Sequence, residues 1–351
     1  MPNWKNSGGC ASKVGADSAP NSMQQVDIVI AGAGPAGSVA SLLFARAGQR
    51  VLLLDQISPT AAKLGDTLAP QGAGLLQRLG LGPLLQPPHQ PIRGQISLWD
   101  GRGELSTDFF ASIHGPAWRL DRPRFDHDLR LAAAAAGAIV VEGHLDALHR
   151  DATGWRLSSA GRAYRCRRLI DATGRSAWIA RRLGARIQRD DDQVGLYGIW
   201  RPASPIGTDR TLVERCPDGS WWYGARLPDG RAIAGLHLSA PAAAQLRRLP
   251  AGWSQALAST RLIQRHLGRS ARPALLPAHS ASGSVTHPCD GEGWQAIGDA
   301  AMAFDPISGF GLQAAIQDSS WLAEGVDDQE RHRRRQAVRA AYQRSMLETK
   351  T

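Results

Sequence analysis

Gly32, Gly34 and Gly37 stand in G-x-G-x-x-G spacing within AGAGPAGSVA, and Asp55 ends the apolar run VLLLD that follows. Each glycine meets a separate demand. Gly32 permits a tight turn, Gly34 lets backbone approach a pyrophosphate, and Gly37 lets a helix pack on a strand. The phosphates then rest on a helix N-terminus that opens at Pro35 and Ala36, where unpaired N–H groups and the helix dipole favour negative charge. Asp55 is placed to accept from ribose hydroxyls. The spacing alone is a weak signal. It gains specificity here because the strand-like run VDIVIAG precedes it and a helical stretch follows.

Two later segments carry the same strand–acid–turn–helix logic: LIDATGRSAWIARRLGA and GDAAMAFDPISGFGLQAAIQDS. In the second, Asp299 at a strand end can accept from a ribityl hydroxyl. A helix starting near Gly309 to Gly311 can aim its amides at a flavin's N1–C2=O edge, where negative charge develops on reduction. Asp305 either caps that helix or contacts substrate. An NAD dehydrogenase usually completes its nucleotide lobe without such dispersed pieces, so the dinucleotide predicted is FAD.

The elements that must hold these residues alternate in kind. A strand at Val26, a helix from Pro35 to Ala47 and a strand at Val51–Asp55 open a βαβ unit, and RPRFDHDLRLAAAAAG is a helix with a glycine stop. Between Val194 and Leu238 the pattern turns to strands, with SWWYGARL and RAIAGLHL joined through Pro-Asp-Gly as a hairpin. Two helical segments precede His279 and two more close the chain. The predicted fold is α/β: a Rossmann-like FAD-binding lobe interleaved with a mostly antiparallel β-sheet substrate lobe, followed by C-terminal helices. The expected division is a mobile tail over 1–22, FAD-lobe pieces over 23–95, 118–192 and 277–325, substrate-lobe pieces over 96–117 and 193–276, and a terminal helix over 326–351. Met23 is an alternative start.

Together these motifs resemble the FAD-dependent monooxygenase and halogenase superfamily with the p-hydroxybenzoate hydroxylase fold, over residues 24 to 325. The loop GDTLAP at Gly65–Pro70 is similar to the flavin-covering loop of its halogenase-like branch, and DGSWWYGARLPDGRAIAGL with AFDPISGFG is similar to LodB-like flavoproteins. Those proteins modify a peptidyl tryptophan while quinone cofactors are built in partner oxidases. The resemblance implies that Gly32, Gly34, Gly37 and Asp55 bind the ADP half of FAD and Arg122 the pyrophosphate region. It gives Asp299, Gly309 and Gly311 the ribityl and isoalloxazine end.

The chemistry implied is hydroxylation of an electron-rich aromatic ring by O2 through a C4a-(hydro)peroxyflavin, with NAD(P)H or a flavin reductase as electron donor. The substrate is a protein, such as an amino-acid oxidase or amine dehydrogenase precursor, or a small aromatic molecule. Candidate pocket residues are Asp66 and Thr67 on the covering loop, Trp221, Trp222 and Tyr223 on the hairpin, His237, His279 and Asp305. Adjacent tryptophans on a strand face opposite ways, one to the core and one to the pocket; Trp222 is taken as the pocket residue. One departure bears on halogenation: HQPIRGQISLW offers Arg93 where halogenases carry a reactive lysine. Alternatives are a halogenase, a reductase of isoprenoid double bonds and a non-catalytic flavin-binding maturation partner.

Composition bounds the rest. At 351 residues, with 43% hydrophobic and 21% charged residues, the chain is expected to be a globular cytoplasmic protein without a membrane span. Its four cysteines lack ligand spacing, so no metal site is expected. The formal charge of +10 is mostly arginine and is read as surface charge, with no nucleic-acid partner. The run RHRRRQAVR is read as a solvated helix face.

Overall fold

The run Ile28–Ala31 forms a strand buried at every position, as an apolar segment flanked by turn residues should when both sheet faces are covered. This is a computed structural model describing residues 23–56, 63–99, 103–109, 112–202, 208–268 and 273–350. The segment 1–22, expected to be a tail, lies outside the described residues. Ile28–Ala31 sits inside a six-stranded sheet ordered Asp290–Gly291, Trp294–Ala296, Arg168–Asp171, Ile28–Ala31, Val51–Asp55, Ile139–Glu142. All neighbours run parallel except the first pair.

Alternate side chains of these strands feed two cores. Ile28, Ile30 and Leu53 pack with Val39, Phe125 and Ile316 under the helices Pro35–Arg46, Arg122–Ala135 and Gly311–Ala323. Val29 and Leu52 face the other way, against Trp155 and Tyr164 of a small antiparallel meander over Ala147–Cys166. The glycine-rich turn, Asp55, Asp171 and the Gly298 turn all fall at the carboxyl ends of the parallel strands, the edge where α/β sheets bind ligands.

The second sheet has eight strands. Gln193–Trp200, Ala232–Ser239, Trp221–Arg226 and Arg210–Arg215 form its antiparallel middle, and Gly94–Leu98 joins Arg210–Arg215 in parallel. The expected hairpin is present: Asp229 Oδ1 accepts from Arg231 N at 2.9 Å, and Gly230 takes φ +82. One face of this sheet is covered by three helices, Ala240–Arg248, Gly252–Ala258 and Leu262–Leu267, where two were expected. Ala251 at φ 55 turns the chain between the first two. Glu214, buried in its strand, accepts from the backbone N–H groups of Arg261, Leu262 and Ile263 and so anchors the third.

The helix Asp328–Lys350 closes the chain. The reading of its basic run as a solvated face is corrected here. Arg331 and Arg335, four residues apart and therefore on one stripe, are 0% and 5% exposed. Arg333 and Arg334 are more exposed and pair locally with Glu330, while Arg339 reaches Asp190.

Candidate active site

At the N-terminal end of the groove the glycines do what their spacing requires. Gly32 takes φ +101, and a Cβ there would lie 2.2 Å from the Ala172 carbonyl oxygen; a Cβ on Gly37 would lie 1.8 Å from the Gly32 carbonyl oxygen. Gly34 differs, because a Cβ on it would meet nothing within 4 Å. That open cradle, in front of the helix opened by Pro35 and Ala36, has the shape a pyrophosphate needs. Asp55 Oδ2 accepts from Ala33 N at 2.9 Å, so the acid also ties the next strand to the glycine turn.

The second strand-end acid has a different role. Asp171 is fully buried and its oxygens accept from Thr173 N, Thr173 Oγ1 and Ala180 N. It staples the turn rather than facing a ligand. Gly174, three residues on, is open in the same sense as Gly34.

At the far end the chain turns through Gly298 at φ +58 and presents Asp299 from a short 3₁₀ turn. The Asp299 side chain is 35% exposed, and among the described residues its ion-pair partner is Arg175, at 3.6 Å. Burial raises its carboxyl above the ordinary value, against the pull of Arg175 and then Arg122. Gly309 at φ +63 and Gly311 at the helix start both leave open space where a Cβ would point. Open backbone at Gly34, Gly174, Gly309 and Gly311, with Asp55 ending one parallel strand and Asp299 in the turn after another, is a donor and acceptor set that fits FAD.

Arg122 lies at the root of the covering loop, ion-paired with Asp126 at 3.1 Å and donating to the Leu64 and Gly65 carbonyls. Asp126 is itself shared with Lys63 at 2.8 Å. Burial alone would raise Asp126; Arg122 and Lys63 outweigh it and hold the carboxyl below its usual range.

Asp66 and Thr67 meet a residue that the sequence reading missed. Arg119, 1% exposed, donates through Nη1 to Asp66 Oδ2, Thr67 Oγ1 and Tyr223 Oη, at 2.9, 2.6 and 2.7 Å. Its Nη2 donates to Thr211 Oγ1 at 3.0 Å. Tyr223 in turn donates to Asp66 Oδ1 at 2.6 Å. Burial disfavours the guanidinium's charge, but Tyr223 and Asp66 more than offset it and its pKa is raised. Burial also pushes the Tyr223 phenol well up, so it stays a donor. The signal available in sequence was only an arginine three residues before Arg122.

Beyond this network the same sheet face is aromatic. His237 stacks on Trp221 with ring centroids 3.7 Å apart, and its Nε2 meets Tyr197 Oη at 2.7 Å. Gly235 and Gly195 make room: a Cβ on either would lie 2.3 or 2.6 Å from the Tyr197 ring. Burial drives His237 down to about 3, so it is neutral near pH 7 and no general base. The assignment of Trp222 to the pocket is corrected. Strand alternation sends Trp222 to the helix-covered face, 1% exposed against Trp253, while Trp221 and Tyr223 share the face that carries Arg119's partners. Asp305 caps the turn Pro306–Ser308 by accepting from Ile307 N at 3.0 Å. Burial raises its carboxyl to about 6, opposed by the Ile307 amide and reinforced by Asp191.

Residues 25–218 match the FAD binding domain family. The chain is 26% identical to the FAD-dependent oxidoreductase LodB of Marinomonas mediterranea, covering 84% of this chain and 82% of that protein. It is 30% identical to menaquinone reductase of Mycobacterium tuberculosis, over 87% of this chain and 77% of that one. Among solved structures it is similar to the peptidyl tryptophan dihydroxylase QhpG, essential for tryptophylquinone cofactor biogenesis. That likeness has 28% identity and a TM-score of 0.70, over 85% of this chain and 66% of the other. The myxobacterial chondrochloren halogenase CndH, at 21% identity and TM-score 0.76 over 89% of this chain and 78% of its own, shares the fold.

Four outcomes follow from this geometry. Asp299→Ala is expected to weaken FAD binding by about 1.5–3 kcal/mol, roughly ten- to a hundredfold. Gly34→Val, which fills the cradle, should abolish binding; titrating apoprotein while following flavin absorbance measures both. Arg119→Met leaves Asp66 buried without its partner and should cost about 3–5 kcal/mol in urea denaturation. Tyr223→Phe should cost about 1–3 kcal/mol.

Asp305 makes a pH-dependent contribution of defined sign. Its folded pKa of about 6 lies above the ordinary carboxyl value of 3.8, so the folded state binds the extra proton between them. Stability is therefore lost as pH rises through that window. Asp305→Asn keeps an acceptor for Ile307 N, and should melt higher than wild type at pH 7 with the gap closing near pH 4. An equal gap at both pH values would remove the carboxyl from this role.

Proposed function

The chain belongs to the FAD binding domain family, and from that premise we propose that this FAD-dependent oxidoreductase is a monooxygenase that hydroxylates an electron-rich aromatic ring. The substrate favoured is a tryptophan side chain of a partner protein that is being fitted with a quinone cofactor. The observation carrying this reading is the wall of Trp221, His237, Tyr197 and Tyr223 on the sheet face that packs toward the covering loop. Likeness to QhpG and LodB supports the same substrate class.

Bound FAD would supply the oxygen activation: one atom of O2 enters the ring, the other leaves as water, and two electrons come from NAD(P)H or a separate reductase. The chain's own residues orient and exclude water. Asp55 and the open turn at Gly34 hold the adenosine and pyrophosphate part, Asp299 the ribityl chain, and the helix start at Gly311 the ring edge. Trp221 and its neighbours offer flat apolar faces to a planar ring, while neutral His237 and the Tyr197 phenol add no charge to the pocket. Asp305, whose carboxyl is raised by burial to about 6, is the group assigned to take the ring proton lost when aromaticity returns. Asp66 holds Tyr223 and Arg119 in place rather than reacting.

Halogenation through a lysine adduct is disfavoured. Among the described residues Lys63 lies beside the covering loop, and its ammonium is paired with Asp126. A second reading has one specific observation behind it, the 30% identity to menaquinone reductase. There the same flavin groove would reduce a prenylated quinone.

The deciding experiment supplies holoprotein with NADH, a flavin reductase and ¹⁸O2. It offers in parallel a tryptophan-bearing amine dehydrogenase or amino-acid oxidase precursor, free tryptophan and menaquinone. Mass gain of labelled oxygen on a tryptophan of the precursor is expected. Anaerobic reduction of menaquinone with no labelled product overturns the proposal in favour of the second reading, and label on free tryptophan alone overturns the protein substrate.

A further inference from the structure

The buried arginine stripe of the C-terminal helix leads to the flavin end of the groove. Arg335 donates through Nε to Asp318 Oδ1 and through Nη2 to Asp318 Oδ2, both at 2.9 Å. The same Nη2 donates to the Ala296 carbonyl at 2.9 Å. Asp318 belongs to the helix Gly311–Ala323, and its Oδ2 also accepts from Gly298 N at 2.9 Å. Gly298 is the residue before Asp299. One guanidinium thus grips the end of the strand Trp294–Ala296, and through one carboxylate the first amide of the turn that presents Asp299.

The pair is buried on both sides, with side chains 6% exposed. In such surroundings a forked two-bond contact fixes direction as well as distance, which a point charge does not. The turn has little other freedom. A Cβ on Gly298 would lie 2.9 Å from Ala36 Cβ, so the turn is already pressed against the first turn of the dinucleotide helix. Two turns beyond Arg335, Tyr342 packs edge-on against Phe304 and Phe310, at 6.1 and 6.5 Å between ring centroids, and flanks the DPISGFG segment from the same side. Arg339, between them, pairs with Asp190. A stripe that composition would leave in solvent is spent on holding two flavin-facing segments.

We propose that Arg335, acting through Asp318, is a positioning residue for Asp299, and that the C-terminal helix is thereby a working part of the FAD site. This rests on the reading of Asp299 as the ribityl acceptor. Displacement of the helix should move the Asp299 carboxylate and the helix start at Gly311 together, since Asp318 sits on the helix that Gly311 opens.

A double-mutant cycle on FAD affinity tests it. Arg335→Met should weaken FAD binding about tenfold in the wild-type background and less than about twofold in the Asp299→Ala background, because the group it positions is then gone. Equal losses in both backgrounds, or no loss in either, overturn the proposal. Arg335→Lys, which restores the charge without the fork, should recover melting temperature more than affinity. If Arg335→Met does not fold, amide exchange on the wild-type protein decides instead. Added FAD should slow exchange both across 296–301 and around Arg335, and slowing confined to 296–301 overturns the coupling. Wild type that binds no FAD, or Asp299→Ala that binds it normally, would instead strike the flavin reading of Asp299 on which the proposal stands.

Discussion

A guanidinium taken out of water needs partners for its charge, and Arg119 makes that demand where its strand, Ala117–Arg119, meets the large sheet. An uncompensated buried charge costs several kcal/mol, so the fold is stable only when Asp66, Thr67, Tyr223 and Thr211 converge on it. These four come from the covering loop and from two strands of the large sheet. The covering loop therefore cannot shift without breaking a charged network, and the substrate wall cannot shift without carrying Tyr223 along. A neutral contact at this seam would tolerate sliding; a charge shared among five side chains sets one register. The Arg122–Asp126–Lys63 cluster repeats the device at the root of the same loop.

The interleaved chain order has a consequence for the site. The segments proposed to hold the flavin come from different crossings of the parallel sheet, at residues 32–37, 55, 171–174 and 298–311. None is adjacent to the next in sequence, so their mutual spacing is set by packing alone. Three contacts contribute to it. Ala33 N binds Asp55, Gly298 N binds Asp318, and Ser319 Oγ donates to the Ala36 carbonyl at 2.8 Å, joining the two helices whose N-termini face the groove. Only glycine permits the closest approaches, which is why the turn at Gly32 can sit against Ala172.

What could be read from the sequence was what local rules decide. Glycine spacing, the acid ending VLLLD, the Asp-Gly hairpin and the helix from Arg122 each follow from requirements met within a few residues. What could not be read depended on which face a residue turned to a distant partner. Trp221 and Trp222 are equivalent by composition, and only the register that sets Trp221 beside His237 and sends Trp222 to Trp253 separates them. Arg119 is one arginine among many until the fold brings Thr211 and Tyr223 to it. The basic run was misread for the same reason. Charge predicts exposure, but a stripe four residues apart can be buried when a carboxylate waits there, as Asp318 does for Arg335.

The balance between the two flavin chemistries turns on what the substrate face can bury. A prenyl chain gains by contact with continuous apolar surface, about 25 cal/mol per Å², and loses wherever it strips water from a polar group. Toward the covering loop this face carries a small buried apolar cluster: Ile199, Ala225 and Ile233 beside Tyr197, with Leu64 and Leu276 packed at its margin. On one side it meets the Arg119 network and on another the stacked Trp221–His237 pair. A long chain laid across it would cover hydroxyls and a guanidinium that already spend their bonds on each other. A planar ring gains by face and edge contacts with aromatic side chains, the kind this face already makes between Trp221 and His237. That polarity favours the proposed aromatic ring over a long prenyl chain.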